Sequence, residues 1–366
     1  MTRLPALPLP AGVRSRFVEQ ANGLRMHILE AGSPADPCIV LLHGFPELAF
    51  SWRKVMPTLA AAGYHVVAPD QRGFGRTTGW DDRYDGDLPS FRQLNLVTDL
   101  LALLSAIDVP RVAALIGHDF GSVAAAWSAL IRPDVFQAVV LMSAPFAGPP
   151  ALTSGAASAA GLDAALAALD PPRRHYTHFF ATPAANGDML DAPQGLPAFL
   201  RGYFHVKGGD FAANAPVALG ARTPGAFARL PGYYVMPRDK GMAETVALLA
   251  PSMVEAGACR WLPEEDLAVY ASEFGRTGFQ GGLNWYRAAA DPALRLFAGR
   301  AIDVPAAFIA GARDWGVFQS PGAFEAMAAR GCTRLTACEL IPGAGHWVQQ
   351  EAPEATLNSI LQFLGD

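Results

Sequence analysis

Short, uniformly apolar runs separated by longer amphipathic stretches set the rhythm of the first part of the chain. The runs are CIVLL (38–42), YHVVA (64–68), VAALI (112–116) and AVVLM (138–142), with helical periodicity over 51–61, about 91–107 and 121–131 between them. Runs this short and apolar on every residue predict strands buried on both faces, which belong to a largely parallel sheet covered by helices. Residues 14–31 alternate weakly about Asn22-Gly23 and predict a hairpin ahead of the first buried strand. The same rhythm returns late, with strands at 304–310 and 334–340, a helix at about 321–329 and a terminal helix from about 353 to 364.

Between residues 145 and 300 this rhythm is lost to a segment rich in Ala, Gly, Pro and aromatics. Helical pieces are expected near 158–169, 173–180, 242–255, 264–274 and 280–289, and the Ala-rich stretch near 151–169 also reads as a partly flexible linker. An insertion into a sheet whose strands resume afterwards predicts a helical cap (145–300) on a core built from 1–144 and 301–366. The boundary between two such units is a favoured place for a pocket.

With 366 residues, 51% of them hydrophobic, the chain can bury a large core without disulfides or metals. Its 28 basic and 33 acidic side chains carry no long single-sign run, which argues against nucleic acid or an anionic membrane as partner and leaves a small neutral ligand. Four cysteines without CxxC spacing point to free thiols in the cytoplasm rather than a metal site. Three prolines in MTRLPALPLPAG make the start an extended arm rather than a signal peptide, and no apolar stretch reads as a membrane span. A homo-oligomer is compatible with this composition.

Gly117-His118-Asp119-Phe120-Gly121 falls between a strand and a helix, the pattern of a nucleophile elbow whose tight turn lifts its middle side chain above the sheet. That middle residue is Asp119 rather than Ser. A carboxylate attacking an ester would give a mixed anhydride, whereas attack on an sp³ carbon gives an ordinary ester that water can cleave. Asp119 therefore favours epoxide or carbon–halogen substrates; the plainer reading is an Asp that caps the helix. HGFPE (43–47) follows the first buried strand, where the Phe45 N–H and that of Phe120 are expected to form an oxyanion hole, with Pro46 held by a cis bond. An ordinary turn would use the same residues. DQRGFG (70–75) is expected to be structural, with Asp70 and Arg72 locking loops.

Asp314 follows the penultimate strand and His346 the last, so the order Asp119, Asp314, His346 resembles the nucleophile, acid, base order of α/β-hydrolases. His346 can take a proton from water, and Asp314 would orient its ring. Either residue alone is as often a turn former or a hydrogen-bonding group; their order and context make the pair a base and its orienter. His43 and His118 are expected to organise backbone.

The motifs HGFPE, SWRKVMPTLAAAGYHVVAPDQRGFG, GHDFGS, GGLNWYR and GHWVQQEAPE, in this order, are similar to the soluble epoxide hydrolases of the α/β-hydrolase superfamily over nearly the whole chain. The resemblance implies an α/β-hydrolase fold with a cap, no metal or organic cofactor, and two cap tyrosines holding the epoxide oxygen. These map onto Tyr286 in LNWYR and, across a gap, onto Tyr176, with Tyr203, Tyr233 and Tyr234 in reserve. A phenol stays protonated at neutral pH and can donate to the alkoxide that ring opening creates. Pro46, Ala49 and Trp285 are expected to line the pocket, with Phe50 beside them.

Two features depart from familiar members: Phe120 where many have Trp, and a long segment at 232–253. A haloalkane or haloacid dehalogenase would share Asp119, Asp314 and His346, but halide departure calls for an indole N–H where Phe120 stands. A pocket kept for binding alone would have no use for the whole set, and Ser122, one turn past the elbow, is misplaced for a serine esterase. The expectation is an enzyme that turns a small apolar epoxide and water into a vicinal diol.

Overall fold

The computed structural model describes residues 4–152 and 159–365. Strands β1 (Arg14–Ala21) and β2 (Leu24–Ala31) form the expected antiparallel hairpin, with Asn22 and Gly23 both at positive φ in its turn. Strands β3 (Cys38–Leu42), β4 (His65–Pro69), β5 (Ala114–His118) and β6 (Val139–Met142) follow, and every residue in them is buried. Helices α1 (Met56–Ala61), α2 (Gln93–Ala106) and α3 (Phe120–Ile131) connect them. The stretch 51–61, expected as one helix, breaks into a 3-10 turn (Ala49–Trp52) and α1, whose first turn holds Pro57.

After β6 the chain leaves the sheet. The insertion carries α4 (Ala159–Ala167), α5 (Tyr176–Phe180), α6 (Ala184–Leu190), α7 (Leu196–Lys207), α8 (Pro224–Phe227), α9 (Met242–Ala247), α10 (Met253–Ala258), α11 (Glu264–Thr277) and α12 (Gln280–Ala288). It also contains two short antiparallel strands, β7 (Arg173–His175) and β8 (Val235–Pro237), so the expected helix over 173–180 begins as a strand. The expected helix over 242–255 is two, because Pro251 cannot continue the first and Ser252 starts the second with a capping box to Glu255. α6 and α7 stand where the periodicity predicts none. Part of the Ala-rich linker reading, at 153–158, lies outside the described residues.

The chain then returns through β9 (Ala306–Gly311), α13 (Ala323–Ala326), β10 (Leu335–Ile341), α14 (Val348–Glu351) and α15 (Pro353–Gly365). The eight-stranded sheet runs β1-β2-β4-β3-β5-β6-β9-β10, parallel from β4 to β10. Alternate residues feed two cores. Ile39, Leu41, Val66, Ile116 and Val140 pack with Leu59 of α1 and Ile360 of α15, while Val40, Leu42, Val67, Leu115 and Val139 pack with Leu103 of α2 and Trp127 of α3. The core facing α2 and α3 continues into the insertion through Phe180, Tyr203, Leu283 and Trp285, so the cap shares a hydrophobic core with the sheet.

The insertion is bolted to the loop between β10 and α14. His346 N–H donates to the Lys207 carbonyl at 2.9 Å, and Trp347 Nε1 donates to the Phe204 carbonyl at 2.8 Å. Buried Glu351 accepts the N–H groups of Gly209 (2.7 Å), Gly345 (2.9 Å) and Trp347 (2.9 Å). Burial pushes its carboxyl up to about 7 against the pull of those three donors. The backbones meet so closely that a Cβ on Gly345 would lie 2.3 Å from Gly209 N and 2.6 Å from the Lys207 carbonyl oxygen. Replacing Gly345 by Ala should therefore destabilise the protein by about 2 kcal/mol or more. Urea denaturation would measure it, and an unchanged midpoint would contradict the contact.

Candidate active site

Asp119 sits at φ 53° and ψ −118°, a strained conformation for a residue with a side chain. Two glycines make the turn possible: a Cβ on Gly117 would lie 2.0 Å from the Gly121 carbonyl oxygen, and one on Gly121 would lie 2.1 Å from that of Leu42. Gly44 leaves the space the nucleophile candidate itself fills, since a Cβ there would lie 2.4 Å from Asp119 Cβ. The Asp119 side chain does not cap α3. Its Oδ1 accepts the Phe45 N–H at 3.0 Å, and the Phe120 N–H, first in the helix, has no intrahelical partner. Phe45 joins Pro46 by a cis bond.

Across from this carboxylate, His346 Nε2 lies 3.3 Å from Asp119 Oδ2 without the alignment of a hydrogen bond. Its Nδ1 faces both oxygens of Asp314 at 3.0 and 3.1 Å, and Asp314 Oδ1 also accepts the Gly316 N–H at 2.6 Å. Burial opposes charge on all three groups. Their mutual attraction outweighs it, holding both carboxyls below their usual range and pushing His346 up to about 9, even though Lys207 also opposes the imidazolium. The free site is therefore an ion pair of carboxylate and imidazolium with a second carboxylate behind it.

The cap brings Tyr176, at the start of α5, and Tyr286, on α12, to within 5.8 Å of one another, ring to ring. Tyr286 packs edge-on against Phe120 (4.4 Å), Phe180 (5.0 Å) and Phe45 (5.5 Å), which fixes it beside the elbow and the loop that bonds Asp119. Burial, joined by the Asp119 charge, raises both phenols well above their ordinary value, so both remain donors. The Tyr176 hydroxyl donates to Gln319 Oε1 at 3.2 Å. Of the reserve tyrosines, Tyr203 packs edge-on to Phe45, Tyr233 donates to Asn214 Oδ1 at 2.7 Å, and the Tyr234 hydroxyl has no partner among the described residues.

Three expected pocket residues are placed elsewhere. Ala49 is fully buried in the core on the opposite face of the sheet, beside Trp52 and Val55, because its N–H is drawn to Asp70 Oδ1 at 2.9 Å. Trp285 lies behind Phe120, with its indole N–H donated to the Arg72 carbonyl at 2.9 Å. Phe50 packs on Tyr270 instead of facing the site. Pro46 is buried in the turn that follows Phe45. Asp70 and Arg72 lock loops, Asp70 through Ala49, Arg76 and His27, and Arg72 through a two-pronged bond to Asp99.

His43 and His118 organise backbone as expected, whereas Glu47 and Lys207 carried no sequence signal of their place at the site. His118 joins Glu47 (2.6 Å) to the His346 carbonyl (2.7 Å), and Glu47 accepts from Gln349 and Gln350. HGFPE and GHWVQQE are thus two halves of one buried network. Lys207, which closes α7 near both carboxylates, comes from a helix that the hydrophobic pattern does not mark.

A carboxylate on an elbow, faced by His and Asp from the loops after later strands, defines a site of the α/β-hydrolase class. The sequence model of the α/β hydrolase fold matches residues 37–186. Epoxide hydrolase A of Mycobacterium tuberculosis is 34% identical over 96% of this chain and 98% of its own. The epoxide hydrolase of Caballeronia sordidicola is 32% identical over 94% and 91%. Among solved structures, an epoxide hydrolase from an endophytic Streptomyces superposes with a TM-score of 0.79 at 30% identity over 97% of this chain and 96% of that one. Potato (Solanum tuberosum) epoxide hydrolase I gives 0.75 at 32% over 96% and 99%. The chain belongs to the epoxide hydrolase family.

The ion pair has a consequence for stability. With His346 raised to about 9 from an ordinary value of about 6.5, its contribution is complete below about pH 6.5 and is lost as the pH rises through about 9. The free energy of unfolding should fall over that window in the native protein and fall less in D119N, which lacks the partner charge. Equal slopes in urea titrations of the two proteins would contradict the ion pair.

Proposed function

We propose that the chain hydrolyses epoxides to vicinal diols through an ester formed on Asp119, with Asp314 and His346 completing the triad. The observation that carries this reading is a buried elbow carboxylate, bonded by the Phe45 N–H and faced by His346, with the paired phenols of Tyr286 and Tyr176 packed beside the elbow. Asp119 attacks the less hindered ring carbon and the carbon–oxygen bond breaks. Tyr176 and Tyr286 stabilise the departing oxygen, and one of them supplies its proton. As Asp119 becomes an uncharged ester the ion pair that held a proton on His346 is gone, and the proton it releases balances the one the phenol has given.

His346 then takes a proton from water whose oxygen bonds to Cγ of Asp119. The Phe45 and Phe120 N–H groups hold the tetrahedral oxyanion. Collapse breaks the bond between Cγ and the diol oxygen, and that oxygen takes the proton back from His346. The carboxylic acid so formed passes its proton to His346, which restores the carboxylate and the imidazolium, and the diol leaves. No metal or organic cofactor enters the scheme. The aromatic rings of Phe45, Phe120 and Phe180 around Tyr286 support a small apolar epoxide as substrate, with residues 145–300 as the cap and 1–144 with 301–366 as the core.

The same triad would serve a carbon–halogen bond. Phe120 offers no side-chain N–H for a halide, however, and the Trp285 N–H is already bonded to Arg72. Four unpaired cysteines support a cytoplasmic setting, and among the described residues no helix is long and apolar enough to cross a membrane.

Single turnover of styrene oxide in ¹⁸O water should place label in the Asp119 carboxylate, read by mass analysis of its peptide. Diol formed without label there would sink the two-step route, and bromide released from a bromoalkane faster than diol from styrene oxide would favour the halide reading. D119N should yield no diol above background, and in H346Q the ester should persist as a covalent adduct. Tyr286→Phe should slow ester formation by about 10²-fold, the scale of losing one oxyanion donor, while sparing hydrolysis of ester already formed. Equal loss in both steps would contradict its role as a donor to the epoxide oxygen.

A further inference from the structure

Lys207 is a buried cation without a hydrogen bond or ion pair among the described residues. Only 4% of the residue is exposed, and its ammonium faces the rings of Tyr234 at 5.0 Å, Tyr203 at 5.5 Å and Trp347 at 5.6 Å. Such rings compensate a desolvated ammonium in part, but a buried charge without a counter-ion calls for an explanation. Its backbone carbonyl accepts the His346 N–H at 2.9 Å, and Gly345 and Gly209 lock the same seam. The ammonium and the imidazole lie against the same Trp347 ring, at 5.6 Å and 4.7 Å from its centre.

We propose that Lys207 is a positioning residue for the base, a fixed positive charge that favours the neutral imidazole of His346 once Asp119 has become an ester. The inference rests on the epoxide reading above. In the free site the charges of Asp119 and Asp314 are matched by those of His346 and Lys207. Esterification removes the negative charge of Asp119, so a protonated His346 would leave the pocket with an excess positive charge next to Lys207. Release of the imidazole proton restores the balance, and His346 becomes a base when the second step needs one.

The groups that bear on His346 are Asp314 at Nδ1, Asp119 at Nε2, Lys207 against the shared Trp347 ring, the His118 ring 4.9 Å away with Glu47 behind it, and Glu351 bonded to the neighbouring N–H of Trp347. Of Asp119, His346 and Lys207, the first two change charge in the proposed reaction. Burial holds the lysine's own proton affinity below its ordinary value, and the pull of Asp119, Asp314 and Glu47 offsets only part of that.

Stopped-flow measurement of alkyl-enzyme breakdown with styrene oxide, from about pH 5 to about pH 10, tests this. In K207M and K207Q the midpoint at which breakdown switches on should move up by about one pH unit, a roughly tenfold slower step on the acid side, with the alkaline plateau retained. K207R should overlay the native profile. A folded neutral variant whose midpoint stays put, its rate lowered equally at every pH, would reduce Lys207 to a packing residue and overturn the proposal. If neither neutral variant folds, K207R decides: an overlaid profile supports the role of charge, and a displaced one refutes it. Native protein that forms no Asp119 adduct would instead overturn the epoxide reading, before any lysine variant is made.

Discussion

Keeping a carboxylate ionised out of water opposes burial by several kcal/mol, and the structure around Asp119 is organised by that demand. The Phe45 N–H bonds one oxygen and the imidazolium of His346 faces the other, with Asp314 behind the ring to hold it charged. The backbone pays a second requirement in geometry, since the elbow needs Gly117 and Gly121 for its own turn and Gly44 for the volume of the carboxylate. A substitution at any of these positions would be felt as a displacement of charge before it was felt as a loss of packing.

Phe45 shows how the demand reaches into the cap. Its N–H belongs to the elbow, while its ring packs against Phe74 of the core and Phe180, Tyr203, Phe279 and Tyr286 of the insertion. One residue therefore sets both the nucleophile candidate's hydrogen bond and the distance at which the phenol of Tyr286 is held. Precision here comes from edge-on aromatic packing, which tolerates little sliding once several rings share one neighbour.

The parallel sheet and the three loops that carry Asp119, Asp314 and His346 were legible because strands buried on both faces are locally apolar and loop motifs sit at their ends. What stayed hidden depends on partners distant in sequence. Arg173–His175 is a strand only because Val235–Pro237 lies beside it, and neither segment alternates. Ala49 looked like a pocket residue from its closeness to HGFPE, yet a bond to Asp70 turns it into the far core. Tyr286 could be placed from LNWYR, but Lys207 and Glu47 acquire their meaning only when α7 and the glutamines of α14 come together around His346.

The seam between Lys207–Gly209 and the loop of His346 also bears on traffic. A cap that swung away from the sheet as a lid would drag the base with it, because the backbone of one is hydrogen-bonded to the backbone of the other and no side chain separates them. Wide opening and competence for turnover thus exclude each other. Opening at this seam would therefore move the imidazole away from the Asp119 and Asp314 carboxylates that it faces.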